Sequence, residues 1–154
     1  MKKIAKIGLM LFSLSCVSCT LVGKVSGHTF KFKSLYIEGE GDIPKEAYDS
    51  QAYEKSTIEF PDKAGFIWGE IEGMVAVGIY NQYDSDIYLS IQKYYRGSEV
   101  VAAFEGDDYP QYQATLKGNN ITICAGGAGA SGTSKDGSRY SYDYKVYIVY
   151  SFSK

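Results

Sequence analysis

Few residues in this 154-residue chain have the types and spacing that chemistry needs. His28 is the single histidine, so a histidine-based zinc site is out of reach, and a Cys–His nucleophile would require His28 to meet Cys124. Gly127, Gly129 and Gly132 in GGAGASG spell G-x-G-x-x-G. That spacing holds a pyrophosphate where a strand turns into a helix N-terminus, but TSKDGSRYSY follows, and no lysine succeeds Gly132 as in a phosphate-binding loop. The stretch predicts a flexible Gly/Ser surface loop over 126–138, joining the last two strands. Three acidic groups, Glu38/Glu40/Asp42, Asp84/Asp86 and Glu105/Asp107/Asp108, could offer oxygen ligands to a hard cation. None has the spacing of a calcium-binding loop, and solvated acidic turns are the expectation. The sequence therefore predicts no catalytic residue, no metal, no cofactor and no enzyme.

What the chain has in quantity is rings, with 15 Tyr and 7 Phe. The closing stretch YSYDYKVYIVYSFSK sets Tyr140, Tyr142, Tyr144, Val146, Ile148, Tyr150 and Phe152 on alternate positions, with Ser141, Asp143, Lys145, Ser151 and Ser153 between them. Period-two alternation is the mark of a strand with one enclosed face. The sole tryptophan, Trp68, alternates with Phe66 in the same manner. A buried tyrosine hydroxyl needs a partner, so several buried together call for polar company.

The N-terminus carries a different signal. Lys2, Lys3 and Lys6 precede the apolar run IGLMLFSLS, which is too short to span a bilayer and has the form of an export signal. Small residues and two cysteines follow, Cys16 and Cys19, and the arrangement resembles the lipobox of bacterial lipoproteins. The resemblance implies a signal peptide over 1–18, a lipidated Cys19 (alternatively Cys16), a tether over 19–26 and a domain over 27–154. It also implies an envelope location, periplasmic or surface-exposed, with a membrane as partner through the lipid. Losing the leader's three lysines takes the formal charge from −2 to about −5. A mildly acidic domain without a basic, ring-lined patch excludes nucleic acid as partner. Cys124 then has no intradomain partner and is expected as a small buried hydrophobe.

The rings need elements to position them. Nine strand signals recur with short turns between them, for a sheet of about eight strands: HTFKFKSLY, STIEF, FIWGEIEG, MVAVGIYN, DIYLSIQKYY, VVAAF, QYQATLKG, ITICA and the closing strand. PKEAYDSQAYEKS, between the first two strands, suits a short helix or an ordered loop. The expected class is all-β: an antiparallel up-and-down barrel, with a β-sandwich as the alternative. GHTFKF, the excursion after it, TIEF…G, and the late YQATLKGNNITI resemble the lipocalin-like small barrels of bacterial lipoproteins. The resemblance implies a barrel that holds a small apolar or amphipathic molecule, and the candidate contacts are Phe30, Phe32, Trp68, Tyr112, Tyr140, Tyr142 and Tyr144. The competing expectation is a barrel filled by those rings, with the 37–55 excursion and the 126–138 loop as working surfaces.

Overall fold

The computed structural model describes residues 23–152. The leader and both candidate lipidation cysteines lie outside that range. Nine antiparallel strands form one sheet: β1 (His28–Gly41), β2 (Thr57–Phe60), β3 (Gly65–Ile71), β4 (Met74–Tyr83), β5 (Asp86–Arg96), β6 (Glu99–Ala103), β7 (Gln111–Lys117), β8 (Asn120–Thr133) and β9 (Arg139–Phe152). The stretch between β1 and β2 holds one 3₁₀ turn, Lys45–Tyr48. Strand order is β4-β3-β2-β1-β9-β8-β7-β5-β6, and β4 also pairs with β5 along its length, from Met74↔Arg96 to Tyr83↔Asp86. That pairing closes eight strands into a barrel and leaves β6 as a short extra strand on β5. Closure removes the sandwich alternative, because a sandwich keeps two sheets with free edges.

Barrel-facing residues alternate as the sequence predicts, up to each β-bulge. On β5, Ile87, Leu89 and Ile91 are buried, then Gln92 has no partner between the Val77↔Lys93 and Gly78↔Ile91 pairs. The extra residue flips the alternation, so that Tyr94 rather than Lys93 turns towards the interior. Lys33 does the same on β1 and Ala125 on β8. The interior is apolar while Lys31, Lys93, Gln113 and Lys117 stand exposed outside.

One end of the barrel is filled. Phe30, Phe60, Phe66, Tyr80 and Ile58 interlock there, with Phe60 meeting Tyr80 edge-on at 4.8 Å and Phe30 at 6.1 Å. Residues 23–27, read from the sequence as largely tether, seal this end. Val25 is 0% exposed, its N–H donates to Gln82 Oε1, and Gln82 Nε2 donates to the Gly23 carbonyl. His28 is also committed here: its Nδ1 bonds the Ser26 carbonyl at 2.8 Å and its ring lies 4.9 Å from Phe152. It is far along the strands from Cys124, so the two make no pair.

The other end is open, and three strands run past its rim. β1, β8 and β9 have 14 residues each against 7 in β3 and β7, so they overshoot by roughly 20 Å at about 3.3 Å per residue. Here the expected Gly/Ser loop is corrected. Residues Gly126–Thr133 belong to β8, paired from Gly126↔Val146 to Thr133↔Arg139, and the connection is confined to 134–138. Glycine and alanine are poor strand formers alone, but each lies opposite a residue of the tyrosine-rich β9. Gly127, Gly129 and Gly132 are therefore spread along a strand with no helix to follow.

Replacing Val25 with alanine is expected to lower stability by about 2 kcal/mol, the cost of two buried methyl groups and the space they leave. Thermal unfolding checks this, and an unchanged melting temperature would show that 23–27 is not part of the core.

Candidate functional site

Mid-barrel, the filled half ends on a chain of hydrogen bonds. Tyr150, on β9, is fully buried, and its hydroxyl lies 2.7 Å from both Trp68 Nε1 on β3 and Ser56 Oγ just before β2. The indole N–H can only donate, and Ser56 donates its own proton to the Tyr53 carbonyl at 2.6 Å. The Tyr150 hydroxyl therefore accepts from Trp68 and donates to Ser56. Every buried side-chain nitrogen or oxygen among the described residues has a partner. Burial pushes the Tyr150 phenol up from 10.0 to about 12, despite its hydrogen bonds.

Above this layer the side chains stop filling the barrel. A cavity of about 200 Å³ opens between Trp68, Ala76, Ile91, Tyr94 and Tyr112, with Tyr53, Ile71, Met74 and Ala125 towards the mouth. Tyr112 meets the Trp68 ring edge-on at 5.3 Å. Phe104, following β6, packs edge-on against Tyr94 at 6.0 Å and braces that wall. Three phenols give this apolar space its polar handles. Burial raises the pKa of Tyr94, and the neighbouring Tyr112 raises it further. Tyr53 is raised by burial, then by the carboxylate of Glu72 and by Tyr112. A protonated phenol hydroxyl can donate as well as accept.

A groove of about 360 Å³ continues outwards from Tyr53 and Ala125. Leu35, Val146, Tyr144 and Ala128 form its apolar wall, and Glu46, Asp49 and Glu72 stand on its rim. Glu72 takes a positive φ of 51° ahead of Gly73 in the tight β3–β4 turn. Asp49 is fixed by accepting the Gln51 N–H at 2.9 Å.

The predicted contacts thus divide. Trp68 and Tyr112 line the cavity, and Tyr144 lines the groove. Phe32 packs on Tyr150 beneath it at 6.3 Å, and Phe30 is fully buried in the sealed end. Tyr140 and Tyr142 line neither space. They continue the ring row past the rim, Tyr140 to Tyr142 at 6.4 Å and Tyr142 to Tyr144 at 5.8 Å, with Tyr140 37% exposed. The expectation that all seven alternates of β9 face an enclosed interior is corrected here: the strand outruns the barrel. Cys124 is likewise corrected, from buried to partly exposed, near the stacked Tyr36 and Tyr147 rings.

Sequence reasoning missed Tyr53, Ile71, Met74, Ala76, Ile91, Tyr94 and Ala125 as cavity residues. Tyr94 and Ala125 are set by bulges, which leave no mark on the alternation until the partner strand is known. Tyr53 comes from the irregular excursion, where no period exists to read. Among the described residues no cluster of three or more His, Cys, Asp or Glu could hold a metal ion. No family model, curated protein or solved structure matches the chain. Function is therefore argued from the site's own geometry.

Tyr150→Phe keeps nearly the same volume but leaves Trp68 Nε1 and Ser56 Oγ without their partner, and should cost about 2 kcal/mol in urea unfolding at pH 8. The raised phenol pKa stabilises the fold fully below about pH 10, and that contribution is lost as pH rises through about 12. The variant should therefore lose less stability than the parent between about pH 9.5 and 11. A variant as stable as the parent at pH 8 would show that the relay contributes nothing.

Proposed function

We propose that this protein is a lipid-anchored envelope protein whose barrel mouth binds a small apolar or amphipathic molecule. The supporting observation is the cavity above the Trp68–Tyr150–Ser56 layer, apolar and aromatic in its walls with three tyrosines among its lining. Its size sets the ligand. An engineered cavity of about 150 Å³ with apolar walls accepts benzene, so about 200 Å³ takes one ring or a short alkyl segment. Anything larger would continue along the groove against Leu35, Val146 and Tyr144. The closed up-and-down barrel is compatible with the lipocalin-like likeness that suggested such binding. Gly23 lies at the sealed end, opposite the mouth.

A second reading is favoured by one observation, the tyrosine row on the projecting strands. Tyr144 has Gly39 and Ala128 as cross-strand partners, Tyr142 has Gly41 and Ala130, and Tyr140 has Gly132. Tyr140, at the outer end of this row, is 37% exposed and available to another surface. In this reading the barrel is a stand and the projecting strands make the contact.

Native mass spectrometry of the chain released from its own envelope is the test. A reproducible added mass is expected, lost on denaturation and lost in Ala125→Leu, which fills the mouth. A bare polypeptide mass with no uptake from lipid extract would favour the second reading. Tyr142→Ala should leave that uptake intact and cost only about 1 kcal/mol, because the ring is only partly buried and lies outside the cavity. Loss of uptake in that variant would mean that the ligand extends along the projecting strands.

A further inference from the structure

Resting on the cavity-binding reading, we propose that the ligand is a positively charged amphiphile: a ring or short alkyl body carrying an ammonium group. The body fits the cavity, as its volume and aromatic walls require. The charge on the head follows from the rim. Glu46, Asp49 and Glu72 stand around the groove that leads out from Tyr53, and no Lys, Arg or His lines either the groove or the cavity among the described residues. An anionic head would emerge among three carboxylates with no countercharge, and a cationic one would meet them directly. A ring face adds to this preference. Tyr53, the ring shared by the cavity and the groove, stands where the head would emerge, and a ring face there attracts a cation and repels an anion. The field of the rim already reaches the mouth, since the Glu72 carboxylate acts on the Tyr53 phenol. The phenol hydroxyls can accept from an ammonium N–H as readily as they donate.

The rim carboxylates are exposed, so solvent screens them and the preference is moderate, roughly tenfold for the charge alone. Trp68 is the only tryptophan in the chain and lines the cavity, so its emission reports occupancy directly. The experiment uses the full chain reconstituted in phosphatidylcholine vesicles at pH 7, titrated with 2-phenylethylamine, 2-phenylethanol and 3-phenylpropanoate. These share one ring and differ in head charge. The expected order is amine tightest by about tenfold over alcohol, with the carboxylate weakest. Added sodium chloride should weaken the amine and leave the alcohol unmoved. In Glu46→Gln/Glu72→Gln the ratio of amine to alcohol affinity should fall towards one. Equal binding of amine and alcohol by the parent chain would overturn the cationic assignment while leaving the cavity reading in place. No change in Trp68 emission with any of the three would overturn both.

Discussion

A buried phenol cannot be left without a partner, and the molecule is arranged around that constraint at Tyr150. Its hydroxyl is bonded to Trp68 on β3 and to Ser56 at the start of β2, and Ser56 in turn reaches the Tyr53 carbonyl. One oxygen on β9 thus ties strands from the opposite part of the chain across the barrel. In surroundings this apolar, a missing link would expose a donor to a medium with nothing to accept it. The same layer divides the interior. Below it the phenylalanines interlock and the N-terminal segment closes the end; above it the rings line a space instead of filling it. The indole is held by its N–H on the floor side, and its ring forms part of the cavity wall.

The open end draws its character from unequal strand lengths. β3 and β7 are half as long as β1, β8 and β9, so the shared hydrogen-bond ladder stops while three strands continue. The Ala125 bulge lies where β8 leaves the barrel, and beyond it glycines and alanines accompany the tyrosines of β9. Small residues beside large rings are mutually dependent here. At Gly132 an added methyl group would press on the Tyr140 ring, 2.8 Å from its hydroxyl oxygen. At Gly39 it would collide with the Asp143 carbonyl oxygen and with Cα and Cβ of Tyr144 on β9. Gly39 serves the close approach of two backbones, and Gly132 makes room for the Tyr140 ring.

A filled core and a binding cavity are therefore not exclusive in this barrel. Interlocking rings fill one half, and the other half leaves an opening of about 200 Å³, with Phe104 packed edge-on against Tyr94 in its wall. The acidic rim, the phenols and the apolar walls sit in sequence from solvent to floor, an order suited to a molecule with one charged end.

By itself, the sequence determined the strand class, most of the turns, and the inward faces of the stretches that hold a single period. Ile87, Leu89 and Ile91 could be assigned from alternation because burial on one face imposes period two. The tertiary structure alone decided what lay beyond each slip in register. A bulge at Gln92 turned Tyr94 inwards, and another at Ala125 opened the mouth, because one extra residue reverses every later side chain while leaving composition unchanged. It also decided the fate of 126–133, whose glycines predict a loop locally and form a strand only because β9 lies alongside. Closure had the same origin. The β4–β5 ladder that turns the sheet into a barrel is a pairing between segments, and whether a twisted sheet meets its own far edge depends on the tilt and stagger of all its strands together.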